Sequence, residues 1–415
     1  MNVIFLTMSY IKSFSDRRGY NDLLRRFQND GYGIYIVTPK ERRLKEKTDL
    51  KEDNGAHILS VRTLNLQKTN IIEKGVGQVL VESQFKKAIK KYLGDVKFDL
   101  ILYSTPPITF PNVIKYLKSA NPTAKTYLLL KDIFPQNAVD LGMMSKTGIK
   151  GLLYRYFRNK EKELYTISDN IGCMSPANVK YLLAHNPEVS NNKVEVAPNS
   201  LDLGTNQDGL NIFDTQEETE KKYTKRIKIR NKLSIPLDRP VFIYGGNLGK
   251  PQDIPFVIKC LEANSAREDC FIIVIGSGTE YPSLLSWYED FKPKSVKVMK
   301  GLPREEYDEL VSSCDVGLIF LDHRFTIPNY PSRLLSYLEN KMPVLCATDP
   351  NTDVGATAEE NGYGYWCESN SVEAFTAILD KMIKSDRKTM GERGYDFLKM
   401  NYLIDNTYNA IKSHV

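Results

Sequence analysis

The chain has 415 residues, 41% hydrophobic and 26% charged, with 57 Lys and Arg against 51 Asp and Glu for a net charge of +6. That length fits two or three domains, and that composition excludes a disordered chain, a collagen and a disulfide-stapled miniprotein. The six cysteines form no Cys-x-x-Cys, and the four histidines show no metal-ligand spacing, so zinc ribbons, redox pairs and His-based metal centres are set aside and no metal is assigned.

The first eight residues carry no basic region, and their apolar run is too short for a signal peptide, so 3–7 reads as a first buried strand. Further strands follow near 34–38, 58–61, 100–103, 126–130, 171–174 and 194–197, with helical patterns near 19–30, 76–93, 109–119, 146–166 and 176–184. Strand–helix alternation predicts a parallel sheet covered on both faces. Lys131 and Asp132 stand just past the 126–130 strand, at an end expected to face an interdomain cleft; a helix cap or a loop ion pair is the alternative.

Residues 1–200 hold 31 Lys and Arg against 19 Asp and Glu, whereas 201–415 hold 26 against 32. A basic half favours an anionic surface. No nucleic-acid signature accompanies it, so a membrane is preferred and no nucleic-acid partner is expected. Two stretches carry that expectation. In 85–93, Phe85, Ile89, Tyr92 and Leu93 fall at helical spacing among four lysines, including Lys86 and Lys87. In 149–158, aromatics interleave with Arg155 and Arg158. Each reads equally as an amphipathic core helix with a basic outer face. No stretch approaches the roughly 18 apolar residues that span a bilayer, so contact would be peripheral.

Residues 204–232 are polar and break the rhythm, reading as linker or insertion. Strands then resume near 241–244, 271–275, 296–299, 316–321, 344–347 and 364–367, separated by helical stretches, which gives a second Rossmann-like domain. The turn Tyr244-Gly245-Gly246-Asn247-Leu248-Gly249-Lys250 joins a strand to a helix near Asp253. Its glycines let backbone approach a phosphate, and the helix start and Lys250 add positive potential; an ordinary tight turn is the alternative. Gly276 and Gly278 end the next strand on the same sheet edge, where open α/β sheets bind ligands. Further on, Pro331 suits a first helical position, which places Ser332 and Arg333 in the first turn, where a cation is better explained by a bound anion than by solvent. The tail is helical and amphipathic. The resulting division is 1–200, a basic, membrane-facing first domain; 201–238, a linker or insertion; 239–385, a second domain; and 386–415, a crossover back onto the first domain.

Five segments in order resemble the glycosyltransferase family 4 enzymes of bacterial capsule, O-antigen and exopolysaccharide synthesis. They are Lys131-Asp132-Ile133-Phe134-Pro135-Gln136, Val196-Ala197-Pro198-Asn199-Ser200, the 244–250 turn, Gly301-Leu302-Pro303-Arg304-Glu305-Glu306, and Pro331-Ser332-Arg333-Leu334-Leu335-Ser336-Tyr337-Leu338-Glu339. The resemblance implies a GT-B fold, with two Rossmann-like domains facing across a cleft, a nucleotide-sugar donor in the second and an acceptor in the first. It implies retention of configuration, no metal and no other cofactor, and a UDP-sugar of N-acetylhexosamine type as donor substrate. The acceptor would be a polyprenyl-diphosphate-linked glycan at the cytoplasmic face of the membrane. Gly246, Asn247, Lys250, Gly276, Gly278, Leu302, Arg304, Ser332, Arg333 and Ser336 would serve the donor, Lys131 and Asp132 catalysis, and Arg18 and Gly19 the acceptor. The family's Glu-x7-Glu is missing: its second Glu falls on Ser336 and its first near Pro328, and Asn247 stands where the family has Arg. A sugar-nucleotide epimerase and a non-catalytic nucleotide-sugar binding protein are the competing readings.

Overall fold

Runs of aliphatic and β-branched residues form strands buried on both faces, as parallel sheets require. The computed structural model describes residues 1–16, 19–66, 71–204 and 216–415. The chain divides into two compact units, Met1–Asp202 with Leu403–Val415, and Leu203–Tyr402.

The first unit holds β1 (Asn2–Leu6), β2 (Gly33–Glu41), β3 (Asp49–Asp53), β4 (Ala56–Thr63), β5 (Leu100–Ser104), β6 (Lys125–Leu130), β7 (Asn170–Cys173) and β8 (Val194–Val196). Their order across the sheet is β3-β4-β2-β1-β5-β6-β7-β8, and among the described residues only the β3–β4 pair is antiparallel. The second unit holds β9 (Val241–Asn247), β10 (Phe271–Ser277), β11 (Val296–Lys300), β12 (Val316–Phe320), β13 (Val344–Thr348) and β14 (Gly364–Glu368), all parallel, in the order β11-β10-β9-β12-β13-β14. In each sheet the chain starts centrally, builds toward one edge and then reverses. The reversal leaves a crevice at the carboxyl ends of β1 and β5 in the first unit and of β9 and β12 in the second.

Each unit has its own core. In the first, Phe5, Leu24, Phe27, Ile36, Leu102 and Tyr127 pack with Ile404, Tyr408 and Ile411 of the returning tail. In the second, Phe242, Val257, Ile272, Leu318, Leu345 and Phe375 pack across the sheet.

Several expectations are revised. One strand had no expectation at all: the charged segment Asp49–Asp53 pairs with β4 at the sheet edge. Within the expected linker, Gln216–Lys232 is a 17-residue helix of the second unit. It is fastened by polar contacts rather than an apolar stripe. Arg230, 1% exposed, donates to Asp315 Oδ2 at 2.6 Å, Ser313 O at 2.8 Å and Pro236 O at 2.9 Å, and Arg226 reaches Asp315 Oδ1 at 2.6 Å. The tail divides differently as well: helix Arg387–Asn401 stays with the second unit, and only Leu403–Val415 joins the first. There Ile404 N–H donates to Leu201 O at 3.0 Å, and Lys412 and Arg26 pair with Asp30 and Asp405 at 2.6 Å each.

The two basic stretches separate. In helix Ile71–Tyr92, Phe85 and Ile89 are buried in the core and Lys86 and Lys87 are exposed, so this is a core helix with a basic outer face. Arg158 is not a free surface cation: it donates to Glu161 at 2.6 Å, His185 O at 2.9 Å and Asn186 Oδ1 at 2.7 Å, tying helix Gly148–Ile167 to helix Pro176–His185. Arg155 is exposed.

Candidate functional site

In the second unit, the β9–β12 crevice is built around Tyr337 and Arg333. The helix Arg333–Glu339 presents both on one face, four residues apart. Tyr337 is buried; its hydroxyl lies 3.1 Å from Ile243 O and 3.3 Å from Leu318 O and accepts the Gly245 N–H at 3.2 Å. That contact pins the helix across β9 and β12 and aims Arg333 back at the glycine turn. The guanidinium lies 4.1 Å from the centre of the Tyr244 ring, and Gly246 leaves room for it, since a Cβ there would come within 2.9 Å of Arg333 Nη2. Gly246 also has φ +140°, a conformation side chains resist. Arg333 Nη1 is buried without a hydrogen-bond partner, and among the described residues no carboxylate pairs with this arginine. The residue as a whole is half-buried and its guanidinium also meets the Tyr244 side chain, so Nη1 is the atom that an anion would complete. Tyr307, on helix Arg304–Ser312, closes the far side: its hydroxyl occupies the space a Cβ on Gly245 would need, and burial pushes its pKa up to about 12.

The other expected donor residues fall as follows. Asn247 is exposed and donates to Gln252 Oε1 at 2.9 Å, which also accepts the Gly249 N–H at 3.2 Å, so it helps shape the turn. Lys250 is exposed at the start of a 3-10 turn, so the buried cation of the turn is Arg333. Gly276 and Gly278 face the turn's own backbone, with Gly246 O and Leu248 O in their Cβ positions, so packing of the two strand ends explains them. Pro331 precedes the helix rather than opening it, and Ser332 caps it without a side-chain bond. Arg333 therefore acts through its folded-back side chain, not through a helix terminus. Ser336 is half-buried one turn along. Leu302 is half-buried, and Arg304 is exposed, 3.5 Å from Asp308 on its own helix. Asp253, Asp322 and His323 bring possible ligand atoms within 4.8 Å of one another. Arg324 already occupies Asp322 Oδ1 with its N–H and Nε, both at 2.9 Å, and Asp253 caps a helix, so no metal is assigned there.

In the first unit, the matching crevice gathers Tyr20, Ser104, Thr105, Lys131 and Asp132. Gly19 opens helix Gly19–Asn29 beside Ser200 O, and the Tyr20 side chain bonds Ser104 at the end of β5. Arg18 lies outside the described residues. Thr105 holds the loop after β6: its hydroxyl accepts the Lys131 N–H at 2.9 Å and the Asp132 N–H at 3.2 Å. Lys131 and Asp132 do not pair with each other. Lys131 Nζ donates to Ala197 O at 2.9 Å, and burial lowers its pKa to about 7. Asp132 accepts from Asn137 Nδ2 at 2.9 Å, and burial raises its pKa to about 6. The next helix, Gln136–Asp140, is capped by Pro135, so Asp132 is not its cap, and among the described residues no cation pairs with it. A carboxyl that titrates near neutrality can exchange a proton with a hydroxyl.

Tyr20 and Tyr307 were not expected. Both lie on helices at spacings that read as core, and only the strand order brings them to the crevices.

Residues 225–397 match the family described as glycosyl transferases group 1. The second unit carries a glycosyltransferase domain. Over 408 residues, 96% of this chain and 94% of the relative, the sequence is 22% identical to a probable glycosyltransferase, WbjE, of Pseudomonas aeruginosa. Sucrose-phosphate synthase of Thermosynechococcus elongatus superposes with a TM-score of 0.70 at 14% identity, covering 100% of this chain and 98% of that one. Anabaena HepE, solved in complex with UDP and glucose, superposes with a TM-score of 0.67 at 12% identity, covering 100% and 99%. The expected two-domain GT-B fold and the glycosyltransferase class are thereby borne out.

Proposed function

We propose that this glycosyltransferase moves a sugar, of N-acetylhexosamine type, from a UDP-sugar to a polyprenyl-diphosphate-linked glycan in the assembly of a bacterial surface polysaccharide. The observation that carries the donor half is the buried, unpartnered Nη1 of Arg333 at the β9–β12 crevice. A diphosphate supplies the missing acceptor oxygens. As the sugar bond breaks, charge develops on the leaving diphosphate, and a fixed buried cation stabilises it without reorganisation. Gly246 admits the Arg333 guanidinium to the turn, where it meets the phosphate, and Lys250 adds charge from the exposed side. UDP as the nucleotide is supported by the HepE likeness.

Asp132 orients the acceptor hydroxyl or takes its proton, with Thr105, Asn137 and Lys131 holding the loop. Retention, absence of a metal and a lipid-linked acceptor at the cytoplasmic face follow from the resemblance to family 4. Incubating the enzyme with UDP-, GDP- and dTDP-sugars and a polyprenyl-diphosphate sugar tests the reading. Transfer from a UDP-sugar with retained configuration is expected. Epimerisation of the donor without acceptor, or donor binding with no transfer to any acceptor, contradicts it.

A further inference from the structure

Between β12 and the helix that carries Arg333 the chain follows an irregular path, and three tethers hold it. The Asp322 N–H donates to Pro251 O at 3.0 Å, which ties the segment to the turn after β9. Asn351 Nδ2 donates to Phe325 O at 2.7 Å, and the Asn329 N–H donates to the Thr352 hydroxyl at 3.0 Å. Asn351 and Thr352 both belong to the turn after β13. That turn is built on Asp349, whose Oδ1 accepts the N–H groups of Asn351 and Thr352 at 2.9 Å each. Its Oδ2 accepts the Thr352 hydroxyl at 2.8 Å. We propose that Thr352, held by Asp349, is a positioning residue of the donor site: it fixes the segment that delivers Arg333 to the diphosphate.

A hydroxyl has one proton to give and two lone pairs to offer. The Thr352 proton is committed to Asp349, so a lone pair faces Asn329, and the N–H there has a fixed acceptor. Asn329 stands four residues before Arg333, and Tyr337, whose hydroxyl is fixed on β9 and β12, stands four residues after it. The arginine is thus bracketed: Tyr337 holds its helix, and Thr352 holds the entry to that helix. The choice of Asp at 349 fits this role. Its carboxyl is 0% exposed, among the described residues no cation pairs with it, and burial lifts its pKa to about 6. Asn or Ser would close the same turn without burying an acid. A carboxylate only accepts, so it dictates which way the hydroxyl points, whereas an amide can meet a hydroxyl either way round. The role of Thr352 rests on Arg333 as the diphosphate ligand, and a titration separates the two.

UDP is titrated calorimetrically into the full chain as wild type, Thr352→Val, Thr352→Ser, Arg333→Met and the double variant Thr352→Val with Arg333→Met, each below its melting temperature. Thr352→Val keeps the shape and removes the hydroxyl, so it should bind UDP about three- to tenfold more weakly. Thr352→Ser keeps the hydroxyl and should stay within about twofold of wild type. Beside Arg333→Met, Thr352→Val should change affinity by less than about twofold, since the residue it acts through is gone. A residue that only stabilises the fold would lower the melting temperature and leave the UDP affinity of the folded protein intact. Three results overturn the role of Thr352 alone: Thr352→Val that binds UDP as wild type does, Thr352→Ser as weak as Thr352→Val, or a Thr352→Val effect that persists in full beside Arg333→Met. Wild-type affinity in Arg333→Met overturns the diphosphate reading, and the role of Thr352 with it.

Discussion

Replacing Asp132 with Asn should make the protein both slower and more stable. Burial lifts the carboxyl from an ordinary 3.8 to about 6. At 1.36 kcal/mol per pH unit, ionising it in place costs about 3 kcal/mol, and about 1–3 kcal/mol once partial exposure is allowed for. The sign follows from linkage. Between pH 3.8 and about 6 the folded state holds the proton more tightly than the unfolded one, so this group's contribution falls as pH rises through that window and stays low above it. Asn removes the charge, keeps the volume, and can still accept from Asn137. At about 2–4 °C per kcal/mol for a unit of this size, Asp132→Asn should melt about 2–12 °C higher than wild type at pH 7.5 and converge with it near pH 4. Turnover should fall at least about tenfold, with donor affinity within about twofold. If the carboxylate works ionised, the wild-type rate should drop below pH 6, and the residual rate of the variant should not. Thermal melts and initial rates across pH read both effects. Normal turnover, or a variant less stable than wild type at pH 7.5, would refute the reasoning.

Lys131→Met addresses the neighbouring residue. The folded amine titrates near 7 and the unfolded one at 10.5, so the unfolded state binds more protons in between and wild-type stability should rise with pH through that window; melts from pH 7 to 10 should show this slope in wild type and a flatter one in the variant. Arg230→Met removes a buried guanidinium and leaves Asp315 partly unpaired, a loss of about 3–5 kcal/mol expected as a lower urea midpoint, with UDP affinity of the folded fraction unchanged.

How far the sequence alone reaches is best seen in particular residues. Val3, Ile4, Phe5 and Leu6 announce β1 because a parallel strand is apolar on both faces. Asp49–Asp53 gives no such signal, since it is a charged edge strand specified by its partner β4. The helix Gln216–Lys232 is hidden for a related reason: buried arginine–aspartate contacts anchor it where a periodic apolar stripe would normally show. Strand order is not written in any local run, so the two crevices, and with them Tyr20 and Tyr307, emerge only from the assembled sheets. Arg333 was legible as a candidate anion-binding cation, but its placement differs from the expected one. A helix start was expected to hold the anion, whereas the guanidinium folds back over Tyr244 into the space Gly246 leaves.

The central claim is that Arg333 completes a diphosphate site, and the most direct measurement is a calorimetric titration of UDP into wild type and Arg333→Met. Losing a charge-assisted hydrogen bond of about 1.5–3 kcal/mol should weaken binding roughly ten- to a hundredfold. The ligand-free variant should melt no lower than wild type, because a buried cation without a carboxylate has been removed. Unchanged UDP affinity in Arg333→Met would contradict the account.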